Sequence, residues 1–136
     1  MGISSLDVLA MNAPVDIGAQ ICVTVDARRN LVYSCVYRRT EKGLEKVNEY
    51  SLTGMEEVLK KIKAPAFFIG DGIGLYREMI LERSSHSLLA PEKSWYPKAS
   101  HLAKLAYPLF LKKKFFSVDK IVPLYLYPED CQIKKI

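Results

Sequence analysis

The sequence predicts one compact α/β domain built on a mixed five-stranded sheet, with the element order β-β-β-α-β-α-β-α behind a short leading helix. Three observations carry that expectation. The first half of the chain holds three stretches of strand composition separated by polar turns. The second half alternates short apolar runs with segments of helical spacing. At 136 residues the chain is long enough for one core and too short for two.

Ser4-Ser5-Leu6-Asp7 marks the leading helix: a serine cap with a carboxylate three residues on, closed by Pro14 near Ala13. Gly18 leads into the first strand, Gln20 to Val25, whose residues are largely β-branched. A polar turn, Asp26 to Asn30, separates it from a second strand, Leu31 to Arg39. With residues 27–30 as the turn, Val25 faces Val32 and Val23 faces Ser34. Ile21, Val23, Val25, Val32 and Val36 then share a core face, while Cys22 lies opposite Cys35 and Thr24 opposite Tyr33. Leu44 to Tyr50 reads as a third strand at an edge, where poor alternation and charge discourage pairing with other chains.

Thr53-Gly54-Met55-Glu56 has the form of a capping box, and Val58, Leu59 and Ile62 follow at helical spacing up to Lys63. Ala66-Phe67-Phe68-Ile69 is a continuous apolar run, as in a central strand covered on both faces. Gly70-Asp71-Gly72 ends it and opens a helix through Ile73, Tyr76, Ile80 and Leu81. Ser87 to Ala90 gives a further strand. Pro97 starts a last helix with the apolar stripe Leu102, Leu105, Ala106 and Leu109. Tyr107 and Leu109 read as core, and Pro108 should kink or shorten that helix. Right-handed crossovers place the fourth strand beside the first and parallel to it, giving the sheet order 3-2-1-4-5. That is the order of the ribonuclease-H-like fold, assigned to residues 20–136, with residues 1–19 as leading helix and linker.

Composition narrows the function classes. Apolar residues make up 49% and charged residues 26%, the balance of a soluble globular domain. No apolar run reaches the ~18 residues of a membrane helix, and Met1 to Ala13 lacks the pattern of a secretory signal. A cytoplasmic protein without a membrane partner is expected. Cys22, Cys35 and Cys131 form no CxxC pair, which points to free thiols and to neither zinc nor a disulfide framework. The net charge of +5 permits a nucleic-acid partner, although the basic residues are scattered.

Few constellations suggest chemistry. Asp26 and Asp71 end adjacent parallel strands, where paired carboxylates with a third acid such as Glu56 or Glu57 could hold a divalent metal for phosphodiester cleavage. The competing reading makes Asp26 a turn residue and Asp71 a helix cap. Gly70-Asp71-Gly72 also has the composition of a phosphate-binding turn, or simply of a strand-to-helix connection. His86 and His101 lack metal-pair spacing, and Ser84 to Ser87 lacks a nucleophile elbow.

Five strings, in order, resemble the TsaB (YeaZ) family. They are Gly2-Ile3-Ser4-Ser5-Leu6 at a helix start, and Val25-Asp26-Ala27-Arg28-Arg29 followed by Val32-Tyr33 in a hairpin. Phe68-Ile69-Gly70-Asp71-Gly72, Pro97-Lys98-Ala99 through Leu105-Ala106, and Val122-Pro123-Leu124-Tyr125-Leu126 complete the set. The resemblance implies the carboxy-terminal lobe of an actin-like protein of the ASKHA class, without catalytic residues of its own. It implies support for a TsaD-like catalytic subunit, which with a TsaE-like ATPase modifies tRNA to threonylcarbamoyladenosine. The chain itself would then contact tRNA only indirectly, with ATP belonging to the partner subunits and self-association as a homodimer a further expectation. Asp26, Arg28, Tyr33, Gly70, Asp71, Gly72, Pro123 and Tyr125 are the motif positions, expected in structural roles with no metal among them. Asp26 and Arg28 would pair within the hairpin turn while Tyr33 packs opposite. Two departures stand out. The family's amino-terminal lobe, with its glycine-rich stretch and its surface for TsaD, has no counterpart here, and the arginine usual after Tyr-Leu is Tyr127.

Overall fold

The computed structural model describes residues 1–115 and 117–127; Cys131 lies outside them. Helix α1 (Ser5–Ala10) precedes strands β1 (Gln20–Asp26), β2 (Val32–Thr40), β3 (Gly43–Lys46) and β4 (Ser51–Thr53). Helix α2 (Met55–Lys61), strand β5 (Ala66–Ile69), helix α3 (Gly72–Arg83), strand β6 (Leu88–Leu89) and helix α4 (Ala99–Leu111) follow. The sheet order is β3-β2-β1-β5-β6, with β4 also on β2. β1 runs parallel to β5 and antiparallel to β2, which is the mixed topology expected of the element order.

β1 is the spine. Ile21, Cys22, Val23 and Thr24 are all 0% exposed, so both faces of the strand are covered. Ile21, Val23 and Val25 share one face with Tyr37, Cys35 and Tyr33. That face carries α1, whose Asp7 accepts a bond from the Tyr37 hydroxyl at 2.7 Å. The opposite face carries α3, whose first residue, Gly72, packs on the Thr24 side chain. Leu6, Leu9 and Ala10 of α1, with Ala13 just beyond it, join the same core as the strands.

The β1–β2 register differs from the sequence reading by one residue. Asp26 pairs with Val32, and Val23 with Cys35. The connection takes residues 27–31, closed by bonds from the Ala27 amide to the Leu31 carbonyl at 2.9 Å and from the Leu31 amide to the Arg28 carbonyl at 3.0 Å. Since side chains alternate with period two, this single step moves all of β2 to the other face. Cys22 therefore faces Val36, and Cys35 lies across the sheet from Cys22; the two thiols are not packing partners. Val32 and Val36 likewise leave the face of Val23.

The third strand is split. β3 pairs with Tyr37 to Thr40 and β4 with Val32 to Ser34. Between them Asn48 substitutes its side chain for backbone, its Oδ1 accepting from the Val36 amide at 2.8 Å. The Val47 amide donates to the Val36 carbonyl at 2.8 Å. The predicted capping box does not form either: Gly54 is the N-cap of α2, because Thr53 is committed to β4.

α4 also departs from expectation. Leu105, Ala106 and Leu109 are half-buried, but Leu102 is 44% and Tyr107 62% exposed, so Tyr107 is not core. Pro108 neither ends the helix nor stops its last turn, and α4 runs on to Leu111. Among the described residues no helix is long and apolar enough to cross a membrane.

Candidate functional site at the carboxyl end of the sheet

The ends of β1 and β5 meet the turn Gly70-Asp71-Gly72. A Cβ at Gly70, whose φ is +114°, would lie 2.1 Å from the Thr24 carbonyl oxygen. One at Gly72 would lie 3.0 Å from both that oxygen and Thr24 Oγ1. Both glycines thus serve close approach of this turn to β1. The Asp71 carboxylate makes no cap bond to α3. Instead its Oδ1 accepts from the Asp26 amide at 2.9 Å, stapling the turn to the strand end. An anion at the α3 N-terminus would meet the Asp71 carboxylate, which counts against a phosphate cradle in this turn.

Asp26 faces away into its own hairpin. Its Oδ1 accepts from the Arg28 amide at 2.9 Å, and its Oδ2 lies 3.5 Å from the Arg28 guanidinium. The two acids are therefore each engaged with backbone, and among the described residues no three His, Cys, Asp or Glu side chains converge as a metal site would require. Glu56 and Glu57 sit in the first turn of α2, where Glu57 pairs with Lys60. That pair lowers the Glu57 carboxyl from its ordinary range and raises the Lys60 amine.

The hairpin tip has an unusual backbone. Arg28, Arg29 and Asn30 have φ of 65°, 52° and 60°, three consecutive left-handed residues without a glycine. Tyr127 closes over it: its hydroxyl donates to the Ala27 carbonyl at 2.6 Å. Its ring meets Tyr33 edge to face, with centroids 6.3 Å apart. The tyrosine standing where the family pattern has arginine thus fastens the tail to the hairpin. Pro123 lines a groove beside Val25 and Tyr33, and Tyr125 is 79% exposed. The structure accordingly gathers Asp26, Arg28, Tyr33, Gly70, Asp71 and Gly72 at one end of the sheet.

That groove, about 1140 Å³, runs between α1, α4 and residues 120–126. On its floor lies a polar cluster that sequence reasoning missed. Asp7 accepts from Tyr37 at 2.7 Å and from Tyr50 at 2.8 Å. The carboxylate spaced as a capping-box partner for Ser4 turns inward to these hydroxyls, and Ser4 caps α1 alone through the Leu6 amide. Burial, and then the bond to Asp7, push both phenols above their ordinary range. Burial likewise pushes the Cys22 and Cys35 thiols up, so neither is a ready nucleophile. The signal for this cluster is weak in sequence, because Asp7, Tyr37 and Tyr50 belong to three separate elements.

His101 of α4 is tied to Asn12, just beyond α1. Asn12 donates its amide hydrogens to the Ser94 and Tyr96 carbonyls at 3.0 and 2.8 Å. Its Oδ1, 2.7 Å from His101 Nδ1, must then accept, which places a proton on Nδ1. Burial, followed by Lys104 and Lys98, lowers the imidazole from its ordinary range.

No protein-family model matches the chain, and none of the curated proteins does. Solved structures do. YeaZ from Pseudomonas aeruginosa superposes with a TM-score of 0.71 at 24% identity, covering 91% of this chain and 57% of its own. The fold is YeaZ-like. An uncharacterised Pseudomonas aeruginosa protein with similarity to peptidase YeaZ gives 0.68 at 22% identity, covering 92% of this chain and again 57% of its own. The chain thus spans little more than half the length of the structures it matches.

Proposed function

We propose that this chain acts as the carboxy-terminal lobe of a TsaB-type subunit, a non-catalytic support for a TsaD-like enzyme that transfers threonylcarbamoyl to the anticodon-adjacent adenosine of tRNA. The observation that carries the reading is the YeaZ-like fold across nine-tenths of the chain, at 24% identity. The resemblance of five ordered sequence strings adds to it. The engagement of Asp71 with the Asp26 amide and of Asp26 with Arg28 supports a scaffold over a metal-dependent nuclease. In this reading nucleotide chemistry belongs to the partners, and the working compartment is the cytoplasm.

The test combines binding with product formation. The chain is mixed with the TsaD-like and TsaE-like proteins of the same source, and complex formation is followed by size-exclusion chromatography with light scattering. Threonylcarbamoyladenosine on tRNA is measured by mass spectrometry. Complex formation with increased product is the expected result. Failure to bind the TsaD-like protein, with product unchanged by the chain both alone and in the presence of a YeaZ amino-terminal lobe, would overturn the proposal. Magnesium-dependent RNA cleavage lost in Asp26→Asn would favour the nuclease instead.

A further inference from the structure

We propose that the carboxyl end of α4 docks on an anionic lipid surface, where Lys112, Lys113 and Lys114 meet headgroup phosphates while Phe110, Leu111 and Phe115 enter the layer beneath. The inference goes beyond the scaffold role and does not depend on it. It also departs from the absence of a membrane partner expected from the sequence. That expectation concerned a spanning helix, and a helix lying in the interface needs no such length. The charge of the chain is gathered here. Residues 93–118 hold six lysines and no carboxylate, a charge of +6 against +5 for the whole chain, so the rest of the molecule is close to neutral. Lys98, Lys104, Lys112, Lys113 and Lys114 are exposed and make no ion pair among the described residues.

A helix end that is merely solvated needs no apolar side chains; this one sets several among its lysines. Leu105, Ala106 and Leu109 turn towards the body of the domain and are half-buried. Tyr107, Phe110 and Leu111, spaced i, i+3 and i+4, share the outward face, and they are 62%, 56% and 61% exposed. The chain then reverses. The Lys114 amide donates to the Leu109 carbonyl at 3.0 Å and the Lys113 amide to the Phe110 carbonyl at 2.9 Å, the paired bonds of a Schellman cap. Lys113 takes the left-handed position of that cap, with φ 51°, where glycine is usual. The reversal brings Phe115, 57% exposed, back against Phe110 with ring centroids 5.8 Å apart. Three lysines and a cluster of apolar side chains thus share one exposed helix end.

The combination selects the partner. An acidic polymer would use the lysines alone and leave Leu111 and both phenylalanine rings in water. Protein interfaces are depleted in lysine and enriched in arginine relative to the rest of the surface. Nucleic-acid sites favour arginine's planar fork, and no arginine follows Arg83 in this chain. A bilayer interface takes what is present. Lysine heads reach lipid phosphates on flexible stems, while aliphatic and aromatic groups sink about 5–10 Å into the boundary beneath. The lipid has to be anionic, because each lysine near such a surface adds an attraction that a neutral headgroup layer does not offer.

The experiment uses the whole chain and co-sedimentation with vesicles of phosphatidylcholine, either alone or mixed in equal parts with phosphatidylglycerol, across a salt series. The expected result is binding to the anionic vesicles that salt weakens, with little binding to the neutral ones. Lys113→Gly separates binding from folding, since glycine suits the left-handed cap. It should keep or raise the Tm while weakening vesicle binding about five-fold. Phe110→Ser combined with Leu111→Ser should weaken binding roughly ten-fold, with little change in Tm because α4 has no buried residue. Absence of binding to the anionic vesicles, or equal binding to the neutral ones, would overturn the proposal. So would full vesicle binding by the Phe110→Ser and Leu111→Ser double variant, which would reduce the helix end to a charge patch for any polyanion.

Discussion

Gly70 shows how far one residue can control this fold. Its φ of +114° and the 2.1 Å approach of a built Cβ to the Thr24 carbonyl leave no room for a side chain. Gly70→Ala should therefore cost about 2–4 kcal/mol, read as a shifted urea midpoint. Asp71→Ala leaves the Asp26 amide without its charged acceptor and should cost about 2 kcal/mol. The Asp7 cluster gives a pH prediction. Tyr37 and Tyr50 both have folded pKa values raised above the ordinary 10.0, first by burial and then by Asp7. A raised pKa contributes stability that is fully present below the unfolded value and is lost as pH rises through the folded one. Stability should thus hold to about pH 10 and fall above it. Denaturant titrations of Tyr37→Phe and Tyr50→Phe should show a shallower alkaline decline; a decline as steep as in the parent would place its origin elsewhere.

At the level of elements, the legible features were those that composition and spacing specify. Apolar Ala66 to Ile69 sits centrally because a continuous apolar run needs cover on both faces, and β5 lies there beside β1. Register was not legible, since the difference between a turn of 27–30 and a connection of 27–31 rests on three left-handed residues that no glycine announces. The consequence was a wrong face for the whole of β2, with Cys22 and Cys35 on opposite sides. The split of the third strand was hidden for a similar reason: Asn48 fills the ladder with a side-chain amide oxygen, a tertiary contact without local signature. Glycine and aspartate at positions 70 to 72 were legible as a turn, but their service to Thr24 and Asp26 appears only once β1 and β5 are adjacent. Asn48→Ala removes an acceptor from the Val36 amide and should cost about 1–2 kcal/mol. Hydrogen exchange should accelerate at Val36 first, and exchange spreading evenly over the sheet would contradict a local splice.

For the whole molecule, the leading helix decides what the unit of folding is. A boundary near residue 19 suits the sequence, where Pro14 and Gly18 interrupt the pattern. In the structure Leu6 is 5%, Val8 4% and Leu9 1% exposed, and Leu9 reaches 3.4 Å from the Cβ position at Gly70. Asp7 meanwhile anchors Tyr37 of β2 and Tyr50 before β4. Burying three aliphatic side chains at about 2 kcal/mol each is of the order of the entire net stability of a domain, about 5–15 kcal/mol. Removing residues 1–13 should therefore abolish cooperative unfolding rather than trim a dispensable arm. The contrasting variant lies on α4, which has no buried residue and leaves Phe110 56% and Leu111 61% exposed. Leu111→Ser should change stability by less than about 0.5 kcal/mol. Circular dichroism melts of the two proteins would separate these outcomes. A truncated chain that still melted in one sharp transition would show that α1 is an appendage, and the core would then have to be redrawn around β1, β2 and β5 alone.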